Sequence, residues 1–318
     1  MRAKGWQVGC YDPARGVPLS PELQAALEAS PYVLSSVPPM GLALYDPALS
    51  AQKALLRPLA AAGRIRWFGY LSSTGVYGDW QGEWVDESSP CRQTSQRAIV
   101  RQEAEAAWQG LGASHGLPVH VFRLGGIYGP GRSALDSLTQ EAPSASQQRR
   151  GRQRYTARCH VGDICAVVAA SMGRPRPGAV YNVVDDDPAP RSEVMTFART
   201  LVGGGQSQSP GQAPPGSEAD PEAARSTQRE GGSESRSGAD GGTGGDGAAG
   251  GEGGATGGEA GGRRGGGRRG DLDEKRVRNG LIRSDLGVEL RYPSYREGLA
   301  ALHGGATWPL EPGDLALL

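Results

Sequence analysis

The chain is poor in cysteine: Cys10, Cys91, Cys159 and Cys165 are the four in 318 residues, and no two share a Cys-x-x-Cys spacing. The plain reading is reduced, mostly packed thiols in a reducing compartment. The four histidines, His115, His120, His160 and His303, form no ligand-spaced set with the cysteines, which argues against a metal site. No run of 18 or more apolar residues occurs, so no spanning helix is encoded. The first residues lack the apolar core of a signal peptide. Net charge is also absent, with 34 Lys+Arg against 34 Asp+Glu, and nothing global pulls the chain toward nucleic acid.

Large apolar residues almost vanish from Gly203 to Gly270, where Gly, Ser, Gln, Glu, Asp, Ala and Arg dominate. Such a segment buries too little surface to offset its ordering entropy and is predicted to be disordered. Its run Arg263-Arg264-Gly265-Gly266-Gly267-Arg268-Arg269 is RGG-like, a pattern able to touch RNA, though a solvated low-complexity insertion is the simpler reading. About 250 residues remain to build a sizeable core.

What remains alternates. Gln7–Tyr11 reads as a short strand, Pro21–Ala29 as an amphipathic helix, and Tyr32–Val37 as a strand closed by Pro38-Pro39. Helices are predicted over Asp46–Ala62, Gln93–Leu111, Val161–Ala170 and Ser192–Val202, and strands over Ile65–Leu71, Pro118–Leu124 and Ala179–Val183. Structured sequence resumes at Lys275 and ends near Leu302. Strands alternating with helices predict a parallel α/β sheet, doubly wound and covered on both faces.

One stretch says most. In Arg66–Gly78 an apolar run ends in Ser72, Ser73 and Thr74, followed by a Gly75-Val76-Tyr77-Gly78 turn. A buried strand ending there places hydroxyls at its carboxyl edge, where open α/β sheets bind ligands. Ser residues at that edge can donate to a substrate carbonyl or a cofactor oxygen, or cap the next turn.

This segment resembles the signature of the extended short-chain dehydrogenase/reductases. Val33–Pro39, Tyr70–Gly78, Arg123–Gly131, Arg158–Asp163, Tyr181–Val183 with Asp185-Asp186, Lys275–Asn279 and Tyr292–Gly298 follow in the order of an atypical branch of that family. The branch is NAD-dependent epimerase/dehydratase-like, of the YeeZ type. The resemblance runs from Trp6 to Leu302, less the insertion. It implies a Rossmann-like NAD(P)-binding domain over 1–202, the disordered insertion over 203–270, a small C-terminal substrate-side region over 271–305 and a tail over 306–318.

Two departures stand out. No Gly-x-Gly-x-x-Gly turn follows a strand, and Met1 falls near the end of the helix that such a turn would open, Met1–Trp6 reading as its tail. A gene model lacking its first exon is the favoured explanation. In addition, the family's tyrosine and lysine, four residues apart, correspond to Arg97 and Arg101. An arginine cannot shuttle protons at neutral pH, but two of them at i, i+4 can pin a phosphate or carboxylate, or stand as solvated charges.

The resemblance implies further roles. Ser73 holds the substrate hydroxyl position, and Tyr77 is a candidate phenol for proton transfer. Asp12 and Arg15 follow the second strand and leave the choice between NAD and NADP open. Ser35, Ser36 and Val37 fall on the adenine and phosphate path, Ser72 beside them at the next strand tip. Gly125, Gly126 and Ile127 sit where the backbone passes the nicotinamide, unless those glycines serve only a tight turn. Asp163 reads as a helix N-cap. Trp67, Phe68, Trp80 and Trp84 read as core or rim, with a substrate platform as the alternative. The expected function is a reductase or epimerase of a small polar metabolite; the alternative is a non-catalytic NAD(P) sensor or scaffold. A homodimer through Asp46–Ala62 and Gln93–Leu111 follows by analogy, with no membrane or nucleic-acid partner. Cytoplasm and organelle, including a plastid, both stand as locations.

Overall fold

The apolar runs at Trp67–Ser73 (β2) and Val119–Leu124 (β4) pair in parallel at the centre of a four-stranded sheet. The computed structural model describes residues 8–12, 19–39, 46–140, 142, 145–203 and 273–310. It orders the sheet β1-β2-β4-β7, with β1 at Tyr32–Ser35 and β7 at Val180–Val183. All three pairings are parallel, as helical crossovers require. β4 is buried at every position, the pattern of a strand covered on both faces. The expected Rossmann-like α/β sheet is thus observed.

Helices α1 (Pro21–Ala29), α2 (Pro47–Ala61) and α3 (Gln96–His115) precede or follow these strands. The Asp46 carboxylate starts α2 by accepting the Leu49 N–H at 2.8 Å, with Pro47 in the first turn where its missing donor costs nothing. Gly116 ends α3 in the left-handed conformation. On one face of the sheet Leu56, Leu59, Trp108 and Leu111 pack on Phe68, Tyr70 and Val121. The Phe68 and Trp108 rings lie 4.5 Å apart, and the Trp108 indole donates to Asp46 at 2.9 Å. One carboxylate therefore both caps α2 and ties it to α3.

The other face is covered by α5 (Val161–Gly173) and α7 (Gly280–Ser284), whose Val167 and Ile282 meet Trp67, Phe122 and Tyr181. Trp67 and Phe68 are thus core. Two short parallel ribbons extend beyond the sheet: β5 (Gly126–Tyr128) with β6 (Arg158–His160), and β3 (Trp84–Val85) with β8 (Arg276–Val277). Strands of two or three residues carry too few side chains to show a period, so the sequence pattern did not announce them. Helix α4 (Ala145–Arg150) leads toward β6, while α6 (Arg191–Gly203) and α8 (Tyr295–His303) pack together around Tyr295, Leu299 and Ala198.

Three expectations need correction or restriction. The strand expected at Gln7–Tyr11 is not formed: Val8–Asp12 have no regular structure, and residue 7 lies outside the described residues. No described strand adjoins the outer edge of β1, where Tyr32 and Leu34 stay exposed, and Val8–Asp12 pair with no strand. Asp163 is not the N-cap of α5. His160 is, with its Nδ1 accepting the Gly162 N–H at 3.1 Å. The Asp163 carboxylate instead accepts the Arg291 and Tyr292 N–H groups at 2.7 and 3.2 Å, clamping the C-terminal segment onto α5. The expected helix tail at Met1–Trp6 and nearly all of the Gly-rich insertion lie outside the described residues. No described helix is long and apolar enough to cross a membrane.

His160 sits buried among the rings of Tyr128, Tyr292 and Trp308. Burial, with the nearby Arg291 charge, pushes its pKa down to about 4. The unfolded chain therefore takes up this proton first, and the stability His160 contributes is complete above about pH 6.5 and drains as pH falls toward 4. Urea midpoints should decline across that interval, and His160→Gln should flatten the decline.

Candidate functional site

The strand tips converge. Beyond the carboxyl ends of β2 and β4 lies a cleft of about 520 Å³, lined by Ser36, Ser72, Ser73, Gly125, Gly126 and Ile127. Ser73 and Gly126, brought from separate strands, therefore share one wall space. Arg101 reaches the same cleft from α3, its guanidinium donating to the Leu71 carbonyl at 3.4 Å. Arg132, Arg150 and Lys275 add positive charge, against Asp273 alone among carboxylates of the lining. Such a rim favours an anionic ligand.

The two serines of β2 point differently, as alternate residues of a strand must. Ser72 is buried, and its hydroxyl donates a short hydrogen bond to the Glu105 carboxylate on α3. Ser73 is half-buried, and its Oγ accepts the Gly75 N–H at 3.2 Å, capping the 3₁₀ turn Thr74–Tyr77. That bond uses an oxygen lone pair and leaves the Ser73 hydroxyl proton free to donate into the cleft.

Below the cleft floor lies a buried polar network. Arg123 on β4 grips Glu105 with its Nη2 at 2.8 Å and its Nε at 3.2 and 3.3 Å. Its other terminal nitrogen donates to the Tyr77 hydroxyl at 3.0 Å, which in turn donates to Asn182 on β7 at 2.8 Å. Burial opposes the Arg123 charge, but the hydrogen bonds and charge of Glu105 overcome it and hold the guanidinium protonated. Tyr77 is fully buried, and burial pushes its pKa up to about 12. The candidate phenol is therefore a structural residue: it does not line the cleft, and its proton is committed to Asn182.

Several other expected site residues fall elsewhere. Arg97 is exposed and does not line the cleft, although it lies one turn from Arg101. Val37 is half-buried off the lining, and Asp12 is exposed in the irregular segment before α1. Arg15 lies outside the described residues. Ser35 is buried at the tip of β1, beside Ser36, and its hydroxyl has no hydrogen-bond partner among the described residues. An orphaned buried hydroxyl next to the cleft fits a ligand polar group. At Gly125 an added Cβ would stand 2.9 Å from the Arg158 amide, so close packing of β5 on β6 demands this glycine whatever the cleft holds.

The sequence reading missed several lining residues that bear chemistry, Arg132, Arg150, Tyr155 and Lys275 among them. Tyr155 arrives from the loop before β6, and Lys275 from beyond the insertion. The Lys275 ammonium donates to the Gly78 and Asp273 carbonyls at 2.9 and 3.1 Å. Lys275 stood inside a recognised motif, so that motif was its signal; Tyr155 had none. Trp80 and Trp84 lie toward the rim, stacked under Arg92 at 3.8 Å and under Arg276 and Arg278 at 5.0 and 4.9 Å. Among the described residues no group of three or more His, Cys, Asp or Glu side chains is placed to hold a metal ion.

Removing Arg123 would leave Glu105 buried with its chief partner gone. Arg123→Leu should cost about 3–5 kcal/mol in urea unfolding. Pairing it with Glu105→Leu should recover much of that loss, because no unpaired charge then remains.

Comparison with known proteins agrees with this geometry. Residues 43–184 match the family described as NAD dependent epimerase/dehydratase. The Escherichia coli K12 protein YeeZ is 30% identical over 125 residues, which cover 39% of this chain and 42% of YeeZ. The match thus spans less than half of that relative. A conserved protein of unknown function from Silicibacter pomeroyi is 34% identical, with a TM-score of 0.58, covering 87% of this chain and 78% of that one. The dTDP-glucose 4,6-dehydratase DesIV of Streptomyces venezuelae, solved with NAD bound, superposes with a TM-score of 0.56 at 14% identity, covering 89% of this chain and 75% of DesIV. That last likeness concerns the fold. With its parallel sheet and its hydroxyl-tipped β2, the chain resembles the NAD-dependent epimerase/dehydratase family, whose model matches residues 43–184, less than half of the chain.

Proposed function

We propose that this chain binds NAD or NADP in the cleft at the strand tips and acts there as a reductase or epimerase of a small polar metabolite. One observation carries the reading: Ser73 and Gly126 line a single cleft of about 520 Å³ whose rim is cationic. The family match over residues 43–184 supports it, as does the NAD held by DesIV on the same fold.

The nicotinamide cofactor would supply hydride transfer, and the protein supplies orientation and charge. Ser36, Ser73 and the Gly125–Ile127 backbone would face it, and the Ser35 hydroxyl offers an unused hydrogen-bonding group. Arg101, Arg132, Arg150 and Lys275 hold positive charge around that position. With its oxygen already accepting from Gly75, Ser73 directs its proton at a substrate carbonyl, the arrangement that stabilises developing negative charge. Tyr155 is the phenol that lines the cleft, and it is our candidate for proton transfer in place of Tyr77.

A second reading, a non-catalytic NAD(P) sensor, draws on a different observation. Helix α3 offers Arg97 and Arg101 where the related enzymes carry tyrosine and lysine, and neither can exchange a proton at neutral pH. Fluorescence titration with NADH and NADPH, followed by cofactor oxidation against a panel of metabolites, separates these readings. Binding with turnover that drops about 100-fold in Ser73→Ala supports the enzyme. Saturable binding with no turnover on any substrate supports the sensor. Indifference to both nucleotides would sink the cofactor reading itself.

A further inference from the structure

The β3–β8 ribbon has one buried face and one open face. Val85 and Val277 are buried beside Val76 and Val184. Trp84, Arg276 and Arg278 alternate with them along the strands and fall on the opposite face, as neighbouring residues of a strand must. Trp84 is exposed there. The guanidiniums of Arg276 and Arg278 lie 5.0 and 4.9 Å from the centre of its ring. Arg276 also lies 5.0 Å from the centre of the Tyr155 ring, and Arg154 lies 5.6 Å from that ring. Contacts therefore run Arg278, Trp84, Arg276, Tyr155, Arg154, a row of guanidiniums interleaved with aromatic rings.

Stacking occupies the flat face of a guanidinium and leaves the N–H groups at its edge able to donate. The exposed Arg278 guanidinium makes no side-chain hydrogen bond and no ion pair among the described residues. Arg276 donates its Nε to the Gly82 carbonyl at 2.7 Å and keeps its terminal nitrogens for a further partner. Arg154 meets Glu274 at 3.6 Å with its side chain 72% exposed, a pair that water screens and that contributes little. Asp79 and Asp86 turn a carboxylate oxygen to the N–H and O–H groups around them. Glu83, exposed and next to Trp84 in the chain, opposes the row.

We propose that the open face of this ribbon binds the backbone of a single-stranded nucleic acid. Guanidiniums held flat present their edges to phosphate oxygens, and the exposed Trp84 ring and stacked guanidinium planes offer flat surfaces to unpaired bases. Strands of two residues present too little to fill a duplex groove, so an unpaired strand is the form that fits. An acidic peptide would meet the charges but leave Trp84 without a planar partner. Net charge over the whole chain is zero, so the attraction is local to this face. Tyr155 joins the row to the cleft wall, but these contacts need nothing bound in the cleft.

Fluorescence anisotropy of a short labelled oligouridylate with the full chain, repeated with oligothymidylate, a duplex RNA of equal length and polyglutamate, tests it. The single strands should bind saturably, with log K against log salt falling at a slope of about −2, the value for three phosphate contacts. Arg278→Gln should weaken binding at least about threefold and make that slope shallower by about 0.7. Trp84→Leu should weaken it while leaving the slope unchanged, and Glu83→Gln should tighten it. All three positions are exposed, and the circular dichroism of each variant should match the parent. Tighter binding of oligouridylate supports the proposal with RNA as the ligand, and of oligothymidylate with DNA. No binding, or duplex or polyglutamate binding as tightly as the single strands, would overturn it. So would binding that survives Arg278→Gln and Trp84→Leu but is lost when Arg263→Ser, Arg264→Ser, Arg268→Ser and Arg269→Ser are combined.

Discussion

Glu105 and Arg123 meet where α3 crosses the sheet, and their buried pair joins more of this fold than any other polar contact described. Through Ser72 it holds β2, through Arg123 it holds β4, and through Tyr77 and Asn182 it reaches β7. A charged pair so deep is tolerable only when its remaining donors and acceptors are satisfied, which is what Ser72 and Tyr77 do. The consequence is functional. With the floor of the cleft locked from below, Ser73 and Gly126 stay in register above it.

That lock also redistributes chemistry. The phenol of the Val76-Tyr77-Gly78 turn is spent on structure, and α3 presents guanidiniums at Arg97 and Arg101. Groups able to react or bind are drawn from farther along the chain. Lys275 returns to the cleft after the insertion, and Asp163 clamps the Arg291–Tyr292 backbone ahead of α8. Positive charge then accumulates on one side of the strand tips, where a cationic surface with low-dielectric walls concentrates anions.

Much of this was legible in one dimension because strands and helices write their periods locally. Pro21–Ala29 was read to the residue, and Val119–Leu124 and Val180–Val183 within one, since continuous apolar runs between turn residues leave few alternatives. The hydroxyl cluster Ser72–Thr74 announced a strand tip by the same logic. By contrast, Tyr77 and Tyr155 look alike as letters. Only Arg123, 46 residues away, makes the first a buried structural phenol, while the loop before β6 brings the second to the cleft. Asp163 sat where an N-cap was expected, but His160 took that place and the carboxylate bonded 128 residues away.

Composition and pattern alone determined the fold class and the main strands and helices of the sheet, because burial and turn chemistry act over a few residues. Tertiary structure decided which hydroxyl of Ser72 and Ser73 is free, which tyrosine faces the cleft, and that Arg158 and Arg191 line one cavity. Those outcomes depend on partners distant in sequence, and desolvation and charge are properties of the space around a group rather than of its neighbours along the chain.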